Sequence, residues 1–312
     1  MNILIVSYSR YEGLKRLLES VLRFDSEANI FVSIDGPSNN RIREVQNQMR
    51  ELLDSHLSLG CRLNYQFLEK NNGVAAGVIK AVDWFFAQVE SGIILEDDLV
   101  VADGFFNFCK QALSDFEHEV DIWMISGSQI FESCDFQKQI QFANYPMIWG
   151  WATWKSKWHE MRESLIKLKP ISLKNIFDQR YLFWAVGANR ALLGLVDTWD
   201  TPLAFEFYAN SKLCVIPPIN LVSNIGDDKD AIHTKNSGFP LFVPIQDFNG
   251  YRIENLSQIK NKSNNYNSML EAKLFKIYWR HILIPYYSFW LDWFFFPVKN
   301  RKIRLSERLT EN

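Results

Sequence analysis

The residues best suited to chemistry stand at 96–98, where Ile93-Ile94-Leu95 runs into Glu96-Asp97-Asp98 before Leu99. Three consecutive carboxylates repel one another, and the apolar residues on both sides argue for a partly shielded position. Shielded like charges need a counter-ion. A hard divalent cation, Mg²⁺ or Mn²⁺, suits them, because it takes one or two carboxylates and completes its shell with water and substrate phosphates. The plainer reading of the same acids is a solvated turn or a helix N-cap.

Other candidates follow apolar runs elsewhere. Ser7, Ser9 and Arg10 come after Ile3 to Val6. Asp35 precedes Gly36-Pro37, and Asn72-Gly73 is followed by Lys80. Asn-Gly also suits a tight turn with positive φ, and Lys80 a solvated helix face. Later come Asp197, Asp200 and Glu206, and a tryptophan-dense stretch with Trp149, Gly150, Trp151, Trp154 and Trp158. Aromatic faces stack on sugars, and Gly150 would let a ligand approach the backbone closely. The same tryptophans equally suit a packed core.

These residues act together only if the chain positions them together. Apolar runs predict strands at 3–7, 30–34, 63–68, 93–95 and 122–125. Helical spacing or composition predicts helices at 12–24, 41–59, 74–89 and 105–116. That alternation predicts an α/β fold with a mostly parallel, Rossmann-like sheet and helices on both faces. Ligands of such sheets bind beyond the carboxyl ends of the strands. Asp35, Asn72 and the acids at 96–98 all fall at or just past such ends. The second half is less regular, with a helix predicted at 183–195, a loop at 197–206, a strand at 213–216 and a polar loop at 226–238.

With 312 residues, 47% of them hydrophobic, the chain can bury a sizeable core. A net charge of −2 provides no field to gather nucleic acid, which is excluded as a partner. Cys61, Cys109, Cys134 and Cys214 lack CxxC spacing and read as core thiols of a reducing compartment. The apolar run at 3–6 is too short for a signal peptide, so a cytoplasmic location is expected.

Glu96-Asp97-Asp98 with the following Leu99 to Phe106 resembles the acidic motif of GT-A fold nucleotide-sugar glycosyltransferases. It is similar to the N-acetylglucosaminyltransferase I branch and to bacterial surface-polysaccharide glycosyltransferases, over roughly residues 1–235. The resemblance implies that Asp98 ligates Mn²⁺ or Mg²⁺ on a nucleotide-sugar diphosphate, with a UDP-sugar first in line. Glu96 and Asp97 would face the ribose, the sugar or metal-bound water. It puts Ser7, Ser9 and Arg10 where the first strand meets the nucleotide, and Asp35 against the base. Asn72, Gly73 and Lys80 fall in the donor loop, and Trp149, Gly150 and Trp151 beside the sugars. A Trp-Asp pair after a helix carries the base in related families, which makes Asp200 the expected catalytic carboxylate. Pro202-Leu203 departs from that pattern and keeps Glu206 and Asp197 as alternatives. A late histidine, here His233, would complete the metal or diphosphate site.

The implied activity is a metal-dependent, inverting transfer of a hexosyl or N-acetylhexosaminyl group to a glycan or lipid-linked acceptor. The implied setting is bacterial surface-polysaccharide assembly. The expected layout is one domain over 1–260, with a donor half at 1–130 and an acceptor half at 131–260, then an aromatic and basic helical tail at 261–312. Tyr286, Trp290, Trp293 and Phe294 to Phe296 precede Lys299, Arg301, Lys302 and Arg304. Charges and Pro285 interrupt the run, so it reads as a peripheral anchor on the cytoplasmic face of the inner membrane, not a span. Packing of the tail on protein is the alternative. Two other functions compete: a sugar-nucleotide pyrophosphorylase, which expects a Gly-rich loop where this chain has Ser7 to Tyr11, and a non-catalytic nucleotide-sugar-binding or scaffold protein at the membrane.

Overall fold

A computed structural model describes residues 1–131, 139–173, 178–226, 245, 250–251 and 265–277. The first half alternates strand and helix: β1 (Asn2–Ser7), α1 (Tyr11–Phe24), β2 (Asn29–Ile34), α2 (Asn40–Ser58), β3 (Leu63–Phe67), α3 (Gly73–Phe86) and β4 (Ser91–Glu96). A short β5 (Leu99–Val101), α4 (Asp103–Asp115) and β6 (Ile122–Ser126) follow. The second half holds β7 (Gln141–Ala143), β8 (Trp151–Trp154), α5 (Lys155–Lys167), α6 (Gln179–Leu192), α7 (Asp200–Ala209), β9 (Leu213–Ile216) and β10 (Val222–Asn224).

The main sheet has the order β3-β2-β1-β4-β8-β6-β9-β7. β3, β2, β1, β4, β6 and β9 run one way, while β8 and β7 run against them. The expected mostly parallel α/β sheet is therefore present. Side chains alternate across it with period two. Ile3, Ile5, Ile30, Val32, Ile93 and Leu95 join one core with residues of α1, α2 and α4. Leu4, Phe31, Ile94 and Trp151 join the other with residues of α3, α5, α6 and α7. Burial on both faces explains why these strands read as continuous apolar runs.

Two stretches differ from expectation. The tryptophan-dense region forms β8, inserted antiparallel between β4 and β6, and then α5. Residues 197–206, expected as a loop, enter α7 at Asp200. Pro202 is compatible with that helix because it lies in the first turn, where its missing N–H leaves no intrahelical bond unmade. Tyr266, Leu270 and Leu274, at the start of the expected tail, pack into the second core. Residues 278–312 lie outside the described residues, and no helix among those described is long and apolar enough to cross a membrane.

Candidate active site

The strand register brings the candidates to one edge. Val6 pairs with Glu96 and Ser7 with Ile34, so the carboxyl ends of β1, β2 and β4 stand side by side. The Asp97 N–H extends the ladder to the Val6 carbonyl at 3.2 Å, and the Asp35 N–H does so to the Ser7 carbonyl at 3.2 Å.

Asp97 is buried and bonded on both oxygens. Oδ2 accepts from Ser7 Oγ at 2.6 Å and from the Tyr8 N–H at 3.2 Å, while Oδ1 accepts from Arg10 Nη1 at 2.8 Å. Arg10 also reaches Asp98 Oδ2 at 3.4 Å. Part of the counter-charge is thus Arg10, ten residues into the chain. The sequence expectation set Ser7 and Arg10 against the donor; both turn their side chains to the acids. Ser9 is half-buried beside them.

Arg16 Nη2 donates to the Asp97 carbonyl at 3.4 Å, so two guanidiniums stand against three carboxylates and an excess of negative charge remains. Glu96 keeps a partly open face, yet surrounding protein strips its hydration and pushes its carboxyl up to about 8. The charges of Asp98, Asp97 and Asp200 add to the rise, and Arg10 opposes it. Burial and then the neighbouring Asp97 charge push Asp98 up to about 6, again opposed by Arg10. Asp98 Oδ1 is buried with no hydrogen-bond donor among the described residues.

That orphaned oxygen and the surplus charge fit a hard divalent cation. Asp98 would hold it. No group of three or more His, Cys, Asp or Glu side chains arranged around a metal occurs among the described residues. The remaining positions would fall to water and phosphate oxygens, as Mg²⁺ in particular favours. His233 lies outside the described residues.

Asp35 sits at the same edge but spends its carboxylate on the chain. The Asn72 N–H donates to both its oxygens, at 3.1 and 3.0 Å, and Asn72 Nδ2 donates to Oδ1 at 2.8 Å. Lys80 Nζ donates to Asn72 Oδ1 at 3.0 Å. Asp35, Asn72 and Lys80 are therefore a connected chain that pins the start of α3 to the end of β2. Gly73 has φ of +79°, the conformation its Asn-Gly context implied.

The three late carboxylates separate clearly. Asp197 accepts from the Val74 N–H at 3.2 Å and the Ala75 N–H at 3.4 Å, so it caps α3 from a distant part of the chain. Glu206 is buried and accepts from Asn210 Nδ2 at 3.0 Å, and burial pushes its carboxyl up. Asp200 alone of the three adds its charge at Glu96. Its Oδ1 takes bonds from the Thr198 hydroxyl, from the Thr201 N–H at 2.7 Å and from Thr201 Oγ1 at 3.2 Å.

The tryptophans are mostly core. Trp151 is 1% exposed and packs against Trp158 and Trp199, which leaves it no face for a sugar. Gly150 has φ of +61°, and a Cβ there would stand 2.8 Å from Val222 Cγ2, so packing requires that glycine without any ligand. Trp149 is half-buried.

Four residues of the site escape sequence reasoning. A Cβ on Gly13 would lie 2.0 Å from the Asp97 carbonyl oxygen, so α1 rests directly on the acids only because residue 13 has no side chain. Gln46 Nε2, buried on α2, ties the Tyr8 and Asp35 carbonyls at 2.9 and 2.8 Å. Asn224 and Gly226 close over Asp98 from β10. Each role depends on a tertiary contact, and nothing local marks it.

No protein-family model matches the chain, and no curated protein matches it. Solved structures do align with it. The galactosyltransferase LgtC in complex with donor and acceptor sugar analogs is 15% identical, with a TM-score of 0.33; the match covers 51% of this chain and 60% of that one. A putative glucose-1-phosphate thymidylyltransferase from Bacillus anthracis in complex with a sucrose is 10% identical, with a TM-score of 0.40, covering 72% and 89%. A UDP-glucose pyrophosphorylase complexed with UDP-glucose is 9% identical, with a TM-score of 0.36, covering 69% and 89%. These are distant likenesses, and the functional reading rests on the residues themselves.

Proposed function

We propose that the chain is a metal-dependent glycosyltransferase that moves a sugar from a nucleoside-diphosphate donor to a hydroxyl, with inversion. The observation that carries this reading is the charge at the sheet edge. Glu96, Asp97 and Asp98 meet two guanidiniums, Arg10 on the carboxylates and Arg16 on the Asp97 carbonyl, and Asp98 Oδ1 is buried without a donor among the described residues. A divalent cation with a diphosphate completes that balance.

When bound, Mn²⁺ or Mg²⁺ neutralises charge on the leaving diphosphate. Asp98 would hold the cation. Asp97 holds Arg10 and the Ser7–Tyr8 turn, which fixes the floor of the site. Asp200 takes the proton of the acceptor hydroxyl. Among the described residues its hydrogen bonds fall on Oδ1, which orients the carboxylate and leaves Oδ2 for that proton. Glu206 is set aside as the base because it is buried against Asn210. A UDP-sugar donor, a glycan or lipid-linked acceptor and a peripheral tail over 278–312 are the finer parts of the proposal. The aromatic and basic composition of that tail supports its peripheral placement.

The test is a panel of UDP-, GDP-, dTDP- and CMP-sugars offered to the purified chain with Mn²⁺ or with EDTA, with NMR of any glycoside formed. Metal-dependent release of one nucleotide and inversion at the anomeric carbon support the reading. Metal-dependent nucleotide binding without turnover would favour a binding or scaffold protein.

A further inference from the structure

We infer that Asn224 and Gly226 are positioning residues that fix which oxygen of Asp98 meets the cation; this rests on the metal reading proposed above. β5 leaves the acids directly, and its antiparallel partner β10 ends with Asn224 opposite Leu99. The chain then folds back over the acid. The Ile225 N–H donates to the Asp98 carbonyl at 2.9 Å, and the Gly226 N–H donates to Asn224 Oδ1 at 2.7 Å. The Asn224 side chain lies close enough to Asp98 to favour its charged form.

The spacing at residue 226 is what sets the carboxylate. A Cβ there would lie 2.5 Å from Asp98 Oδ2, 3.1 Å from Asp98 Cβ and 3.0 Å from Asn224 Oδ1. Backbone at 226 is therefore a wall on the Oδ2 side, and Arg10 Nη1 stands 3.4 Å from the same oxygen. The opposite oxygen, Oδ1, has no donor among the described residues. A carboxylate held at Oδ2, with Oδ1 buried and short of a donor among the described residues, presents a single oxygen in a fixed direction. Mg²⁺, which demands near-ideal octahedral geometry, gains most from such control. A methyl group at 226 meets the end of a side chain, so the fold can absorb it by turning the Asp98 carboxylate. The same turn misdirects Oδ1.

The experiment is a Mn²⁺ titration of the full chain, followed by electron paramagnetic resonance, in the presence of UDP and in parallel GDP, dTDP and CMP. Nucleotide affinity in EDTA and the melting temperature are measured alongside. Gly226→Ala is expected to weaken Mn²⁺ binding about tenfold or more and to change the line shape, with EDTA nucleotide affinity and melting temperature kept. Asn224→Ala, which removes the amide without adding bulk, is expected to weaken Mn²⁺ binding several-fold and serves if Gly226→Ala does not fold. Wild-type Mn²⁺ affinity and line shape in the folded variants would overturn the positioning role. No Mn²⁺ binding by the unaltered chain with any of the four nucleotides would overturn the metal reading itself, and the inference with it.

Discussion

Arg10 Nη1 stands 2.8 Å from Asp97 Oδ1 and 3.4 Å from Asp98 Oδ2, so one guanidinium bridges two adjacent carboxylates. Asp97 is 4% exposed, which makes the bridge hard to replace with water. Arg10→Met is expected to destabilise the protein by about 2 kcal/mol, between the values for exposed and fully buried pairs. Mn²⁺ with a nucleoside diphosphate is expected to raise the melting temperature of this variant more than that of the unaltered chain. Equal stabilisation of the two would separate Arg10 from the cation's role.

The raised carboxyls make stability depend on pH in a defined direction. Glu96 is pushed from 4.5 up to about 8, and Asp98 from 3.8 up to about 6. The folded chain therefore holds protons that the unfolded chain has released, so stability falls as pH rises through this window. Without metal, the melting temperature is expected to fall from about pH 5 to pH 8 through these two groups. The slope is expected to flatten in Glu96→Gln, which removes the larger rise. An unchanged slope in that variant would show that Glu96 is ionised throughout.

Gly13 tests how closely α1 rests on the acids. The Cβ of Gly13→Ala would meet backbone, the Asp97 carbonyl oxygen at 2.0 Å, and backbone yields less readily than a side chain. A loss of about 2–3 kcal/mol in chemical denaturation is expected, typical of overpacking in a tight interior. A loss below about 0.5 kcal/mol, the level of an ordinary surface change, would show that α1 can move away freely.

Asp197 and Asp200 lie three residues apart and are expected to fail differently. Asp197→Ala removes a cap from α3 and is expected to cost about 1 kcal/mol of stability with turnover kept. Asp200→Ala is expected to lower kcat by about 10²- to 10⁴-fold with the fold and the donor KM kept, as for loss of a general base. Steady-state kinetics of both variants beside their melting curves distinguishes the two roles.

The central sheet was legible because its buried strands read as apolar runs bounded by turns, and the acids stood out because three carboxylates follow one such run. α7 was not legible, because Leu203, Ala204, Phe205, Glu206 and Phe207 are all buried and a helix buried all round has no amphipathic period. The tryptophans misled for a related reason. An indole that packs in a core and one that lines a sugar site look alike until the sheet order puts β8 between β4 and β6. Arg10 stands out in the sequence as a site residue, yet its partner among the acids lies 87 positions away, a distance only the register of β1 on β4 closes. Gly13 and Gly226 carry no local signal, since each matters for what its missing side chain leaves room for.

Release of nucleotide from a sugar donor, with Mn²⁺ or with EDTA, in the unaltered chain and in Asp98→Ala, tests the account most directly. Release of one nucleotide is expected, requiring Mn²⁺ and lost in Asp98→Ala, with the variant still folded. Release that persists in EDTA or in Asp98→Ala would contradict it, as would no release and no metal-dependent binding of any donor.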